Sequence, residues 1–263
     1  MEKSIMTDEG IEIISSPEKV DMADDWYEFA NLQHFWIQAR FSALKRHLKN
    51  INLKGSSLFE VGCGNGLIMN QFEGEYGGKV DGCDLNLFAL KQARGHQGKL
   101  YCLNIFEHPQ FLQKKYDGVL LMDVIEHIDN DSAFLRAAIQ YVNDDGIVVI
   151  NVPAINQFFS RYDVAAGHKR RYNKEMMHKL LAENNIVPLA ISYWGFSLVP
   201  IVLLRKWLLK IMGSKNTIRN GFKPPNELMN RLFKVMLSAE MGVLKSPWVG
   251  TSLIAIGKVK RDA

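Results

Sequence analysis

The chain has 263 residues, enough for one large α/β domain with an elaboration. With 47% apolar and 23% charged residues it has the composition of a folded globular protein, which sets aside an intrinsically disordered chain. A formal net charge of +4 is too small at this length to require nucleic acid or an anionic membrane as partner.

Residues 1–23 are polar and acidic and predict a tail. They contain no basic start followed by an apolar run, so a cleaved signal peptide is not expected. From Asp24 to Leu48, Trp26, Phe29, Leu32, Phe35, Trp36, Ala39, Leu44 and Leu48 fall at helical spacing, which predicts a helical lid over 24–54. Beyond Lys54 short apolar runs at 57–61, 79–83, 99–103, 117–122 and 146–151 alternate with helical stretches, the rhythm of βαβ units around a parallel sheet. Asp131 to Tyr141 predicts a helix, and Asn143 to Gly146 the turn that launches the fifth strand. Asn173 is placed to cap a helix running to about Asn184. Residues 186–193 and 248–258 supply a sixth and a seventh strand, so the predicted domain is 55–195 together with 248–263.

The intervening segment, 196–247, is too long for a hairpin connection and predicts a helical insertion capping the substrate side. Its first part, FSLVPIVLLRKWLLKIM at 196–212, is apolar, but Arg205, Lys206 and Lys210 interrupt it, which argues against a spanning helix. A cap packed on the core is the simplest reading; a helix lying in a membrane interface, or covering an apolar pocket, is the alternative. The HKRR run at 168–171 and the later group Arg205, Lys206, Lys210, Lys215, Arg219 and Lys223 read as solvated basic faces. Cys63, Cys83 and Cys102 lie in or beside predicted strands without metal-ligand spacing, which favours a reduced, cytoplasmic setting over a disulfide scaffold.

The sharpest motif is EVGCGNG at 60–66, between a predicted strand and a predicted helix. Gly62, Gly64 and Gly66 let backbone N–H groups and a helix N-terminus approach a ligand closely. Leu67 occupies the place where a dinucleotide fingerprint needs glycine or alanine, which disfavours a nicotinamide dehydrogenase. Asp84, at the end of the second strand of the domain, is an acid able to accept both hydroxyls of a ribose.

On these residues, and on MDVIEHI at 122–128, the chain resembles the class I S-adenosylmethionine-dependent methyltransferases of the small-molecule and quinone type. The resemblance implies an α/β, Rossmann-like three-layer sandwich with a seven-stranded, mostly parallel sheet whose last strand is antiparallel. It implies S-adenosylmethionine as cofactor. Carried over residue by residue, it puts Glu60, Gly62, Gly64 and Gly66 along the methionine and ribose side, Asp84 on the ribose hydroxyls and Leu85 against the adenine. Asn104, with Ile105 beside it, stands where many relatives have an aspartate near the adenine amino group, and Met122 and Asp123 border the methionine part. In HFWIQAR at 34–40, Trp36 and Arg40 would close over the cofactor, the guanidinium pairing with the methionine carboxylate; a core tryptophan and a surface arginine are the competing account.

Methyl transfer from a sulfonium displaces an already activated group, so the protein chiefly aligns donor and acceptor and removes water. A base is needed where the acceptor is a hydroxyl or an amine. His127 and His168 are the candidate bases, with a backbone-bonded histidine as the bland reading of His127. Arg171 and Tyr172 are candidate substrate residues, because GHKRRY at 167–172 follows the fifth strand's exit and resembles a substrate-side loop of the family. Asp123, Glu126 and His127 have the donor chemistry for a hard divalent ion, but a solvated helix start explains them as well and no metal is expected. The Asn/Asp-Pro-Pro-aromatic motif of nucleic-acid base methylation is missing; the nearest match, NVPA at 151–154, lies one strand too late, so no nucleic-acid partner is expected. The expected acceptor is small or lipid-linked and methylated on oxygen, in a cytoplasmic enzyme that can touch the inner face of a membrane through 196–212. A non-catalytic S-adenosylmethionine-binding regulatory protein is the rival.

Overall fold

The computed structural model describes residues 5–18, 31–212 and 226–260. Its strands are β1 (Ile5–Met6), β2 (Ile11–Ile13), β3 (Ser57–Val61), β4 (Lys79–Asp84), β5 (Leu100–Cys102), β6 (Tyr116–Met122), β7 (Val142–Pro153), β8 (Ile186–Trp194) and β9 (Ser252–Val259). They form one sheet in the order β1-β2-β5-β4-β3-β6-β7-β9-β8. From β2 to β7 the neighbours run parallel, and β9 pairs antiparallel with both β7 and β8.

The strands are apolar almost throughout because both faces of the sheet are covered. Phe59, Val61, Val119, Leu121, Val148 and Ile150 face a core closed by α4 (Asp131–Ala138) and α6 (Lys174–Ala182). The alternate residues Leu58, Leu120 and Val149 face a second core closed by α1 (Phe35–Leu48) and α2 (Leu67–Tyr76). The period of two in the strands thus divides the domain into three layers.

The described sheet has nine strands where seven were predicted. The extra pair comes from the N-terminal segment read as a tail. Ile11, fully buried, and its neighbours pair with Leu100 to Cys102, and the amides of Ile14 and Ser15 continue onto the Cys102 carbonyl. The turn predicted at Asn143 to Gly146 is a bulge inside β7: Tyr116 pairs with Val142 and Gly118 with Ile147, so 143–146 loop out with Asp145 at φ 67°.

The helices that border the sheet's carboxyl edge also include α3 (Leu87–Leu90), α5 (Arg161–Ala165), α7 (Val199–Met212) and α8 (Glu227–Val243). Of the predicted lid, Trp26 and Phe29 lie outside the described residues, as do Lys215, Arg219 and Lys223 of the later basic group. What is described of lid and insertion packs together. Asn230 of α8 accepts from the Phe35 amide at 2.8 Å, and Arg46 of α1 donates to the Met241 carbonyl at 2.5 Å and the Leu244 carbonyl at 2.8 Å. Buried Glu240 of α8 accepts from the amides of Gly195, Phe196 and Ser197, satisfying the orphan donors just before α7. Among the described residues, no helix is long and apolar enough to cross a membrane.

Candidate active site

The strand exits open into a cavity of about 700 Å³, roofed by α1 and α7. That volume suits a cofactor-sized ligand together with a second molecule's reactive part.

One half of the cavity is built from the turn after β3. Gly62 has φ 76°, and a Cβ there would stand 2.6 Å from a Val124 methyl; Gly64 has φ 53°. Only glycine enters such a turn without strain. The amides of Gly62 and Cys63 both donate to the Cys83 carbonyl, at 2.8 and 3.0 Å, which ties the turn to the end of β4. Asp84 completes the link: its carboxylate accepts from the Gly64 amide at 2.9 Å and the Asn86 amide at 2.8 Å. Burial raises the Asp84 pKa, and those amides oppose the shift.

Beneath the turn lies Glu60, 2% exposed, whose Oε2 has no hydrogen-bond partner. Burial pushes its carboxyl up to about 8, against the pull of Arg40. Arg40 lies with its guanidinium 4.7 Å from the centre of the Trp36 ring and donates to Asp123 at 2.6 Å. Asp123 sits just past β6 at φ 59°, a left-handed conformation that aspartate tolerates better than most residues. Asn151 holds it there from β7, its carbonyl receiving the Asp123 amide at 2.8 Å and its Nδ2 donating to the Asp123 carboxylate at 2.8 Å.

The other half is polar and assembled from distant segments. Glu126 is fully buried with neither carboxylate oxygen bonded, and burial, then the nearby Asp123, pushes its carboxyl well above the usual range. His127 and His168 meet edge to face at 4.9 Å. His168 Nδ1 lies 2.9 Å from the carboxylate of Asp163, a buried residue that also receives Arg171 Nε at 2.7 Å and the Ser160 amide at 2.9 Å. Burial alone would raise the Asp163 pKa, but His168 and Arg171 hold its carboxyl at about 2. Glu126, His127 and His168 each offer a ligand atom within 4.8 Å of the others. Asp123, whose donor chemistry was weighed alongside that of Glu126 and His127, is engaged by Arg40 and Asn151.

A family model described as a methyltransferase domain matches residues 30–191, more than half of the chain. The chain belongs to the class I S-adenosylmethionine-dependent methyltransferases. Their cofactor, S-adenosylmethionine, goes with that membership. A ubiquinone biosynthesis O-methyltransferase of Neisseria meningitidis serogroup C is 24% identical over 198 residues, 70% of this chain and 75% of the relative. Among solved structures, a SAM-dependent methyltransferase from Archaeoglobus fulgidus superposes with TM-score 0.53 at 17% identity, covering 85% of this chain and 96% of that one. A Haemonchus contortus phosphoethanolamine N-methyltransferase, solved with phosphomonomethylethanolamine and S-adenosylhomocysteine, gives TM-score 0.55 at 15% identity, covering 86% and 53%. At such identities these two structures testify to the fold alone.

In this methyltransferase Trp36, Arg40, Glu60, Gly62, Gly64, Asp84, Leu85, Met122, Asp123, His127, His168 and Arg171 all line the cavity. Four predicted site residues do not. Gly66, at φ 73°, serves as the N-cap of α2. The Asn104 side chain caps a short 3-10 turn by accepting from the Phe106 amide at 3.2 Å, and Ile105 is buried in the core. Tyr172 is 1% exposed, its hydroxyl donating to the Asp131 carboxylate at 2.8 Å and lying 3.2 Å from the Ile125 carbonyl, so it braces the core behind the loop. Of the HKRR run, Lys169 pairs with Asp129, Arg170 with Asp131 and Arg171 with Asp163, so the presumed solvated face is a set of ion pairs.

Sequence reasoning missed Arg205. Leu198, Ile201, Val202 and Arg205 recur at i, i+3, i+4 and i+7 and all face the cavity. A charge on an otherwise apolar helical stripe was the available signal.

Proposed function

We propose that this methyltransferase transfers a methyl group to an oxygen of a small or lipid-linked acceptor, with His168 as general base. The observation that carries the reading is the union, in one cavity, of the glycine turn with an imidazole oriented by a buried carboxylate.

The donor half suits the cofactor by its chemistry. The orphaned Oε2 of Glu60 fits an ammonium, and Asp84, acceptor-only when ionised, fits ribose hydroxyls. Leu85 and Trp36 offer apolar surface to the adenosyl part. When bound, the sulfonium supplies an activated methyl group. Asp163 fixes the His168 tautomer by accepting Nδ1–H, which leaves Nε2 as the proton acceptor for a hydroxyl. The α1 and α7 roof keeps water from the transfer.

An oxygen acceptor has support in the Neisseria relative, whose name is that of an O-methyltransferase. A lipid-linked one, and a peripheral membrane contact, have support in α7. Its inner stripe is mainly apolar, and its outward residues Leu203, Leu204 and Trp207 are 47%, 56% and 59% exposed. The non-catalytic rival has no observation in its favour.

A second reading has one observation behind it: Glu126, His127 and His168 cluster, and both Glu126 oxygens lack partners. A divalent cation held there would acidify a bound acceptor hydroxyl. Activity would then vanish on dialysis against a chelator and return with the cation.

The test is tritium transfer from labelled cofactor into cell extracts by purified protein. Label in the lipid and quinone fraction is the expected result. Label confined to polar metabolites would refute the lipid-linked part, and cofactor binding without label in either fraction would refute the catalytic reading.

A further inference from the structure

Arg205 stands on the cavity stripe of α7 and carries a full charge into the acceptor half. Its guanidinium lies 4.0 Å from the centre of the Tyr162 ring. The Tyr162 side chain also hydrogen-bonds the guanidinium, but with five N–H donors the stack and that one contact leave in-plane donors for an oxyanion. Among the described residues it forms no ion pair with a carboxylate, while Lys169, Arg170 and Arg171 of the loop after β7 all do. The nearest acid, Asp163, is already committed to His168, Arg171 and Ser160.

The cations in this half are not all paired. Arg40 is paired with Asp123 at 2.6 Å and Arg171 with Asp163 at 2.7 Å. Arg205 remains as a partly desolvated cation on the cavity wall with no carboxylate pair among the described residues. Desolvating a guanidinium without an anion is costly, and a charge-assisted pair with a carboxylate or phosphate offsets that cost when the ligand arrives.

We infer that the methyl acceptor carries an oxyanion, a carboxylate or a phosphate, and that Arg205 on the α7 stripe receives it. The inference rests on the proposed methyltransferase reading and names the class of acceptor for the same cavity. The group must lie beyond the hydroxyl that is methylated, since Arg205 sits by Tyr162 while His168 faces His127. A neutral analogue of the same shape would leave the cation unpaired, so selection against it follows from the same charge.

The experiment uses the full chain saturated with S-adenosylhomocysteine and measures binding of benzoate, phenyl phosphate and neutral benzamide, for wild type, Arg205→Gln and Arg205→Lys. Benzoate or phenyl phosphate should bind wild type at least about 10-fold more tightly than benzamide, roughly 1.4 kcal/mol. Which anion leads tells carboxylate from phosphate. Arg205→Gln should erase the preference, and Arg205→Lys should keep part of it. Equal binding of all three probes, or a preference that survives Arg205→Gln, overturns the inference. So does a 10-fold loss of S-adenosylhomocysteine affinity in Arg205→Gln, which would assign the guanidinium to the cofactor's carboxylate. Wild-type protein that does not bind S-adenosylhomocysteine at all refutes the parent reading, and is recognised before any acceptor probe is added.

Discussion

The two halves of the cavity are built in opposite ways. The half proposed for the donor is local: the turn from Glu60 to Gly66 meets Asp84, twenty residues later, through a single amide from Gly64. The half proposed for the acceptor joins Glu126 and His127 after β6, Tyr162 to Arg171 after β7, and Leu198 to Arg205 in the insertion. A cofactor shared by a whole family can be held by a short rigid motif, whereas an acceptor is met by side chains on long connections that differ between relatives.

Substitutions should separate these halves. The largest effect is expected at the acceptor side, where His168→Ala should slow methyl transfer by about 10²–10⁴. Calorimetry on the same variant should find S-adenosylhomocysteine affinity unchanged. On the donor side, Gly62→Val forces a side chain into Val124 at a positive φ and should weaken S-adenosylhomocysteine binding by at least about 100-fold, roughly 2.7 kcal/mol.

Between the halves stands the Arg40 and Asp123 pair, with side chains 8% and 18% exposed. Arg40→Ala strands a largely buried carboxylate without its partner and should cost about 3 kcal/mol in urea unfolding. Arg40→Ala with Asp123→Ala should cost less than the sum of the single changes.

Smaller again is a pH effect at Glu60. With the carboxyl raised to about 8 in the free site, it is protonated at neutral pH. Binding an ammonium requires the ionised form, so each complex should release a proton below that pH, and affinity should climb as pH rises toward 8. Calorimetry in buffers of different ionisation enthalpy measures the proton, and Glu60→Gln should abolish it. The smallest effect belongs to Tyr172→Phe, which should cost about 1 kcal/mol of stability and leave the acceptor KM unchanged. A raised KM would return Tyr172 to the substrate.

What the sequence disclosed follows the same division. Strand positions from 57 to 259 were legible because apolar runs of the right length must be strands when helices cover both faces. Asp84 was legible because its distance from the glycine turn is set by one βα unit. The N-terminal strands were not: Ile11 and Ile13 lie in a polar context, and only an unpaired sheet edge makes a strand of them. Asn104 and Tyr172 show the limit at strand exits, where one residue bonds its own backbone and another turns into the core. Charge was harder still. The basic residues at 169–171 and Arg205 look alike in sequence, yet the first three meet acids and the last meets a cavity.

The most direct test of the division is calorimetric titration of S-adenosylhomocysteine into wild type, Asp84→Asn and His168→Ala under one set of conditions. Affinity at least about 10-fold weaker in Asp84→Asn, with wild-type affinity in His168→Ala, is the predicted result. Full affinity in Asp84→Asn, or its loss in His168→Ala, would contradict the assignment of the two halves.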